Sequence, residues 1–197
     1  MRRTLPLLLA FGLTAGPARA DWTPDSAALG QLARGGVHAE VHPDGDGVSG
    51  VVFGAVEIAA PPAVVWRTIT DCGRAGRMAP NIRSCRITLR DPAGRWDVRE
   101  MVVRNGLMPS FRTEFRSEFT PPRSIRFRCT AGDIRFCDGE WRLEPLAGGR
   151  TRVLYENRAS SPFPAPAIVA RAAMRMDLAD ALRALRREAE TRAPAAT

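Results

Sequence analysis

Between about residue 83 and residue 158, the sequence alternates between apolar and charged residues with a period of two. In the cleanest run, Phe111 to Phe119, the odd positions are Phe, Thr or Ser and the even positions are only Arg or Glu. Shorter runs at 125–129, 141–144 and 152–156 repeat the alternation. Successive side chains of a strand point to opposite faces, so each run predicts a strand with one apolar and one charged face. The chain is therefore expected to form an antiparallel sheet that is wet on one side and covered on the other.

The covering element is predicted to be a helix from about Pro166 to Glu190. This segment is rich in Ala, Leu and Arg and has no internal Gly or Pro. Helical spacing gathers its apolar residues on one side and most of its arginines on the other. The fold class is therefore α+β, with a long amphipathic C-terminal helix laid along the concave face of an antiparallel sheet.

Two short helices are expected after the first predicted strand, Val51 to Ile58. The prolines at Pro61 and Pro62 suit the first turn of a helix over Val64 to Thr70. A second helical turn is expected between Asp71 and Met78, before Pro80.

The N-terminus has the layout of a secretory signal peptide. Arg2-Arg3 precede an apolar run from Leu5 to Leu13, and Ala18-Arg19-Ala20 is a small-x-small cleavage site. The apolar run is too short to cross a bilayer. We therefore expect a signal peptide over 1–20, cleavage after Ala20 and a periplasmic mature protein. The polar, Gly-rich residues 21–47 are predicted to be an irregular arm, 48–190 the folded domain and 191–197 a flexible tail.

The charge of the chain does not favour nucleic acid as a partner. The formal net charge is +8, all 29 basic residues are arginine, and three of them leave with the predicted signal peptide. The arginines are interleaved with Asp and Glu instead of forming a basic stripe with aromatic neighbours. A transient contact with an anionic membrane surface remains open.

Four cysteines lie in the predicted mature chain, and an oxidising compartment would pair them. Of the three possible pairings we favour Cys72–Cys85 and Cys129–Cys137, because each joins sequence neighbours and the second pair flanks a turn-like segment. Metal sites usually show CxxC-type spacing, which is absent.

The histidines do not form a known metal-binding motif either. His38, Glu40, His42 and Asp44 do not form the H-E-x-x-H motif of zinc proteases. No metal and no cofactor is predicted.

Several motifs, in this order, resemble those of the START-like helix-grip superfamily, in the branch of polyketide cyclases and coenzyme Q-binding proteins. They are Ala60-Pro61-Pro62-Ala63-Val64-Val65-Trp66 followed by Asp71, Met78-Ala79-Pro80-Asn81-Ile82, Pro121-Pro122, Gly132-Asp133, Gly139-Glu140-Trp141-Arg142-Leu143 and Thr151-Arg152-Val153-Leu154-Tyr155. The resemblance covers about residues 48–190. The resemblance implies the helix-grip fold, a strongly curved sheet wrapped around the C-terminal helix, with a cavity between them that accepts lipids, quinones or polyketides. Members of this superfamily include carriers, sensors and a few enzymes.

The candidate ligand-binding residues are the large side chains that face the interior of such a fold. From strands and helix they are Phe111, Phe115, Phe127, Trp141, Tyr155, Met174, Leu178 and Leu182. Arg171 is added because it lies near the apolar side of the helix, where it could meet a carbonyl or acidic group of a ligand. The same residues would equally fill a solid core.

The leading hypothesis is a periplasmic carrier that binds a lipid, a quinone or a polyketide-like molecule. One alternative is a cyclase or dehydratase that uses Tyr155 or a pocket carboxylate, for which Glu57, Glu100 and Glu140 are available. No G-x-S-x-G motif supports nucleophilic catalysis. The other alternative is a non-catalytic interaction module with a filled core.

Overall fold

The computed structural model describes residues 22–44, 50–104, 109–160 and 166–193, so the predicted signal peptide lies outside the described residues. Within these ranges the elements follow one another as α1 (Ser26–Ala33), β1 (Val37–Pro43), β2 (Gly50–Ile58), α2 (Pro62–Thr70), α3 (Ala75–Met78), β3 (Ile82–Arg90), β4 (Trp96–Val103), β5 (Phe111–Thr120), β6 (Ser124–Gly132), β7 (Cys137–Leu146), β8 (Arg150–Ala159) and α4 (Ala167–Glu190). Short 3₁₀ turns, Cys72–Arg74 and Ala147–Gly149, precede α3 and β8.

All eight strands belong to one antiparallel sheet with the order β1-β2-β8-β7-β6-β5-β4-β3. The chain crosses from β2 to the opposite edge, β3, through α2 and α3. Gly148 and Gly149 connect β7 to β8 with φ angles of 72° and 69°, which glycine adopts without steric cost. The helix-grip fold implied by the resemblance, a curved antiparallel sheet around a long C-terminal helix, is confirmed.

The long helix α4 lies on the concave face of the sheet. Its residues Leu178, Leu182 and Leu185 are buried in the main core, together with valines of β2 and β8. Gly54 of β2 permits this close packing, because a Cβ there would lie 2.7 Å from Cδ2 of Leu178 and 2.9 Å from Cδ1 of Leu182.

The convex face carries the alternating charged residues of β5, β6 and β7, as predicted, and Glu100 of β4. Glu100 of β4 accepts hydrogen bonds from Arg86 of β3 at 3.0 Å and from Arg112 of β5 at 2.7 Å. Arg126 of β6 reaches Glu140 of β7 at 3.3 Å. These ladders across neighbouring strands keep the convex face hydrated.

The prediction of an irregular arm over 21–47 is wrong for the described residues 22–44. Asp25 caps α1 by accepting the backbone N–H of Ala28 at 2.8 Å. Leu32 of α1 is buried against the convex face with Ala55 and Leu154. The strand β1 pairs with β2 along its whole length, from Val37↔Val56 to Pro43↔Gly50. The sheet therefore begins before residue 48.

The predicted flexible tail, 191–197, also begins too early. Arg192 lies 3.5 Å from a carboxylate oxygen of Asp71, and Ala193 packs against the main core. Residues 194–197 lie outside the described residues.

Both favoured disulfides are present. Cys72–Cys85 joins the 3₁₀ turn after α2 to β3, with a Cα–Cα distance of 5.4 Å. Cys129–Cys137 joins β6 to β7. Among the described helices, none combines the length and the apolar character needed to span a bilayer.

Candidate functional site

A cavity of about 150 Å³ lies between the sheet and the second half of α4. Strands β4 to β7 form its floor, α4 forms one wall, and the segment from the end of α2 to the start of β3 closes it. The lining side chains are Ile69, Thr70, Asp71, Ala75, Met78, Ala79, Ile82, Arg99, Met101, Phe115, Ser117, Phe119, Ile125, Phe127, Trp141, Ala181 and Leu185. Most of this surface is apolar.

Aromatic rings from three neighbouring strands form the floor. Phe115 of β5 and Phe127 of β6 meet edge to face with ring centroids 6.2 Å apart. Trp141 of β7 lines the cavity beside them, and Tyr155 of β8 lies 4.4 Å from the Trp141 ring and 6.0 Å from the Phe127 ring. Such contacts hold aromatic side chains in fixed orientations. The floor is thus a preformed apolar surface.

The start of the closing segment is attached to both β3 and α4. The disulfide Cys72–Cys85 attaches it to β3. Asp71, which lines the cavity, lies 3.5 Å from Nε of Arg74 and 3.5 Å from Nη1 of Arg192. Arg74 also donates a hydrogen bond to Glu188 near the end of α4. Access through this side therefore requires the segment to move against α4.

A buried ion pair stands at the polar end of the cavity. Asp97 and Arg99 lie two residues apart on β4, so both side chains point to the concave face. Nε of Arg99 donates to Oδ1 and Oδ2 of Asp97 at 2.9 and 3.0 Å, and Nη2 donates to Oδ2 at 2.8 Å. The two side chains are only 7% and 4% exposed. Arg99 lines the cavity, whereas Asp97 lies behind it.

The second terminal nitrogen of Arg99 is available to a ligand. Within the part of the chain that the structure describes, Nη1 donates to no residue, since every hydrogen bond of this guanidinium comes from Nε and Nη2. A guanidinium keeps its charge and has no acceptor. The cavity can therefore donate a charge-assisted hydrogen bond to a carbonyl or carboxylate oxygen.

The interior under α4 is divided into a filled half and a hollow half. Met174, Leu178 and Leu182 pack over β1, β2 and β8 in the main core and do not line the cavity. Of the predicted ligand-binding residues, only Phe115, Phe127 and Trp141 line it. Phe111 and Arg171 are half-buried outside the lining, and Tyr155 lies behind two of the lining rings.

Sequence reasoning selected Arg171 as the cation near the ligand, but the structure places Arg99 at the cavity. The signal for Arg99 was its shared face with Met101 and Val103 on β4. The other face of the same strand also carries a charge, Glu100, so the alternation did not distinguish the inner face. The pairing with Asp97, two residues away, was the clue that an inward arginine has a partner.

The groups considered for acid-base chemistry lie elsewhere. Glu57 pairs with Arg150 and Arg152, while Glu100 and Glu140 pair with arginines of the convex face. Desolvation by the packed rings raises the pKa of Tyr155 above its ordinary value of 10.0, and a hydrogen bond with Asn157 offsets part of this shift. Tyr155 therefore stays protonated at neutral pH.

Comparisons with known proteins agree with this architecture. A family model described as "Polyketide cyclase / dehydrase and lipid transport" matches residues 58–186. No curated protein sequence matches the chain significantly.

Several solved structures are similar in fold. A STAR-related lipid transfer protein from Xanthomonas axonopodis is 16% identical, with a TM-score of 0.68, over 78% of this chain and 93% of that one. The Zhui aromatase/cyclase from a Streptomyces species is 19% identical, with a TM-score of 0.62, over 81% of this chain and 97% of that one. The lipid transfer and protein localization domain of human StarD13 is 15% identical, with a TM-score of 0.63, over 78% and 84%.

Proposed function

Because this chain belongs to the polyketide cyclase/dehydrase and lipid transport family, we propose that it is a periplasmic carrier that shields an apolar, oxygen-bearing molecule from water. The family and the fold support a role in binding a hydrophobic small molecule. The observation that carries the proposal is the cavity with an aromatic floor and an available Nη1 of Arg99.

Burial of a ring in this cavity supplies part of the free energy that binding needs. An aromatic group buries about 150–250 Å². At about 25 cal/mol per Å² of apolar surface, this burial corresponds to roughly 4–6 kcal/mol before the entropy of association is subtracted. Additional affinity has to come from a hydrogen bond to Arg99 or from further apolar groups of the ligand.

The cavity volume restricts what can enter in the closed form. A cavity of about 150 Å³ accommodates a single aromatic ring. Drug-sized ligands usually occupy pockets of about 300–1,000 Å³. We therefore propose that a ring carrying a carbonyl, as in a quinone or a polyketide-like molecule, occupies the cavity, and that larger ligands displace the segment between α2 and β3.

The side chains at the cavity support binding over proton transfer. A cyclase or dehydratase needs an ionisable group that exchanges a proton with the substrate. Among the described lining residues, the ionisable side chains are Arg99 and Asp71, and each is held in ion pairs. The carrier is accordingly the preferred hypothesis.

Two features support the periplasmic location. The segment over 1–20 has the layout of a secretory signal peptide. Two disulfides join all four cysteines, and such bonds persist mainly in oxidising compartments.

The test compares two small ligands that differ only in their oxygen atoms. Duroquinone is a methylated ring with two carbonyls, and durene is the hydrocarbon of matching shape. Titration calorimetry with protein purified from the periplasm should show duroquinone binding at least about tenfold more tightly, since a hydrogen bond to a charged group contributes about 1.5–3 kcal/mol. Native mass spectrometry of the same preparation should reveal any ligand that co-purifies.

Two substitutions on α4 locate the binding. Ala181→Phe places a ring in the cavity and should abolish binding of both ligands, whereas Ala173→Phe adds the same ring at an exposed position and should not. If neither ligand binds the wild-type protein and nothing co-purifies, the carrier proposal is wrong. Binding that survives Ala181→Phe would place the site elsewhere.

A further inference from the structure

The outward face of α4 changes character along the helix. In the first half, Ile168 is 74% exposed, Val169 is 56% exposed and Met176 is 64% exposed. In the second half, the exposed positions include the charged residues Asp180 and Arg183. The second half is an ordinary amphipathic helix, whereas the outward side of the first half carries these apolar residues beside the exposed Arg175 and Asp177.

The exposed residues of the first half form one surface, which we call the α4 patch. Ile168, Ala172 and Met176 are spaced four residues apart, and Val169 and Ala173 form the adjoining row. The core-facing residues Met174 and Leu178 lie on the opposite side of the helix. A contiguous exposed apolar surface of this kind marks an interaction site more often than isolated apolar residues do.

Charge identifies the partner. From 166 to 176 the charged residues of the helix are Arg171 and Arg175, and the exposed Asp177 that follows is its first acidic residue. Arg175 is exposed beside Met176, and Arg171 is half-buried. Aliphatic side chains flanked by arginines suit the boundary between anionic headgroups and acyl chains.

We propose that the α4 patch docks on the surface of an anionic lipid bilayer, with Ile168, Val169 and Met176 entering the interface. The docking itself is independent of what the cavity holds. Its consequence for ligand exchange rests on the proposed carrier function, because Ala181 and Leu185 of the same helix line the cavity. Docking would place the helix that forms one wall of the cavity directly at the membrane.

The experiment measures partition of the exported protein between buffer and vesicles. Vesicles of phosphatidylcholine with phosphatidylglycerol are compared with vesicles of phosphatidylcholine alone, in a flotation assay at low and high salt. Wild-type protein should float with the anionic vesicles, and high salt should weaken the binding because it screens charge. Mass spectrometry of the N-terminus checks that all variants carry the same mature chain.

Matched variants separate the patch from general surface properties. The triple variant I168S/V169S/M176S should lose at least about tenfold in partition, since three aliphatic side chains no longer enter the interface. Leu89→Ser changes a side chain that is 62% exposed on β3 and should have no effect. Arg175→Gln should cost about fivefold, as one basic residue near the surface does, whereas Arg187→Gln at the other end of the helix should cost less.

The outcomes are distinct. Equal flotation of wild type and triple variant, or an equal loss in Leu89→Ser, overturns the proposal. Sedimentation velocity without vesicles is expected to give a monomer; a dimer that the triple variant dissociates would reassign the patch to self-association and also overturn it. Duroquinone binding, measured separately, should be unchanged in the triple variant, so failure of docking and failure of the carrier function are told apart.

Discussion

Replacing Arg99 by Met tests how the buried ion pair at the cavity is balanced. The guanidinium makes three hydrogen bonds of 2.8–3.0 Å to Asp97, and both side chains are almost fully buried. Removal of one partner leaves an uncompensated buried charge, which costs about 3–5 kcal/mol. For a chain of this size each kcal/mol lowers the melting temperature by about 2–4 °C, so the expected decrease is roughly 6–20 °C.

Two further variants show whether the loss comes from the unpaired carboxylate. The double variant Asp97→Leu/Arg99→Met replaces the pair by apolar side chains and should recover to within about 1 kcal/mol of wild type or better. Arg126→Met removes a strand arginine whose pairing with Glu140 lies on the exposed face, and it should cost less than about 1 kcal/mol. Guanidinium unfolding followed by tryptophan fluorescence measures all three.

The same variants separate stability from ligand recognition. In the double variant, durene should bind about as well as before, while the preference for duroquinone should disappear because Arg99 no longer donates a hydrogen bond. The reasoning would be refuted if Arg99→Met were as stable as Arg126→Met. A preference for duroquinone that persists in the double variant would refute the assigned role of Arg99.

Three other predictions follow from the contacts. Tyr155 is the only tyrosine of the chain and desolvation raises its pKa, so absorbance should show no phenolate near pH 10 until the protein unfolds. Because the unfolded chain releases this proton first, the stability of the fold should fall as the pH rises above about 10. The pKa of Asp91 is lowered from 3.8 to about 2, mainly by a hydrogen bond from the side chain of Arg95, so carboxyl NMR should find Asp91 ionised at pH 3. The contribution of ionised Asp91 to stability should be present above pH 3.8 and be lost as the pH falls toward 2. Replacing Cys72 and Cys85 by Ser should lower the free energy of unfolding by about 3 kcal/mol and weaken duroquinone binding, because this disulfide holds the segment that closes the cavity. Removal of the disulfide between β6 and β7 should leave duroquinone binding unchanged in calorimetry.

The strands and the long helix were predictable because each has a strong period. The alternation in 111–119 places apolar side chains on one face and charges on the other whatever the neighbours are. The helix boundary at Glu190 and the turn at Gly148 follow from equally local chemistry. These features fix the fold class without any knowledge of long-range contacts.

The elements α1 and β1 were missed because their composition concealed their pattern. Val37, Ala39 and Val41 alternate with His38, Glu40 and His42, which is a strand pattern of period two, but the glycines before and after it suggested a loop. Pairing with β2 provides the stabilisation that local propensity does not. Tertiary contacts of this kind are invisible in a single sequence.

The candidate site was predictable in type but not in position, and the reason lies in how α4 is placed. Small residues in β2, above all Gly54, let Leu178 and Leu182 approach the sheet closely, so α4 packs tightly over β1, β2 and β8. The rings of Phe115, Phe127 and Trp141 form the floor on the other side, where the closing segment and the second half of α4 complete the cavity. A filled core and a cavity are therefore not alternatives in this protein: the filled half fixes the helix, and the fixed helix keeps the other half open. The polar group that meets a ligand therefore comes from the sheet and is Arg99. Arg171 of the helix lies over the filled half, which has no room for a ligand.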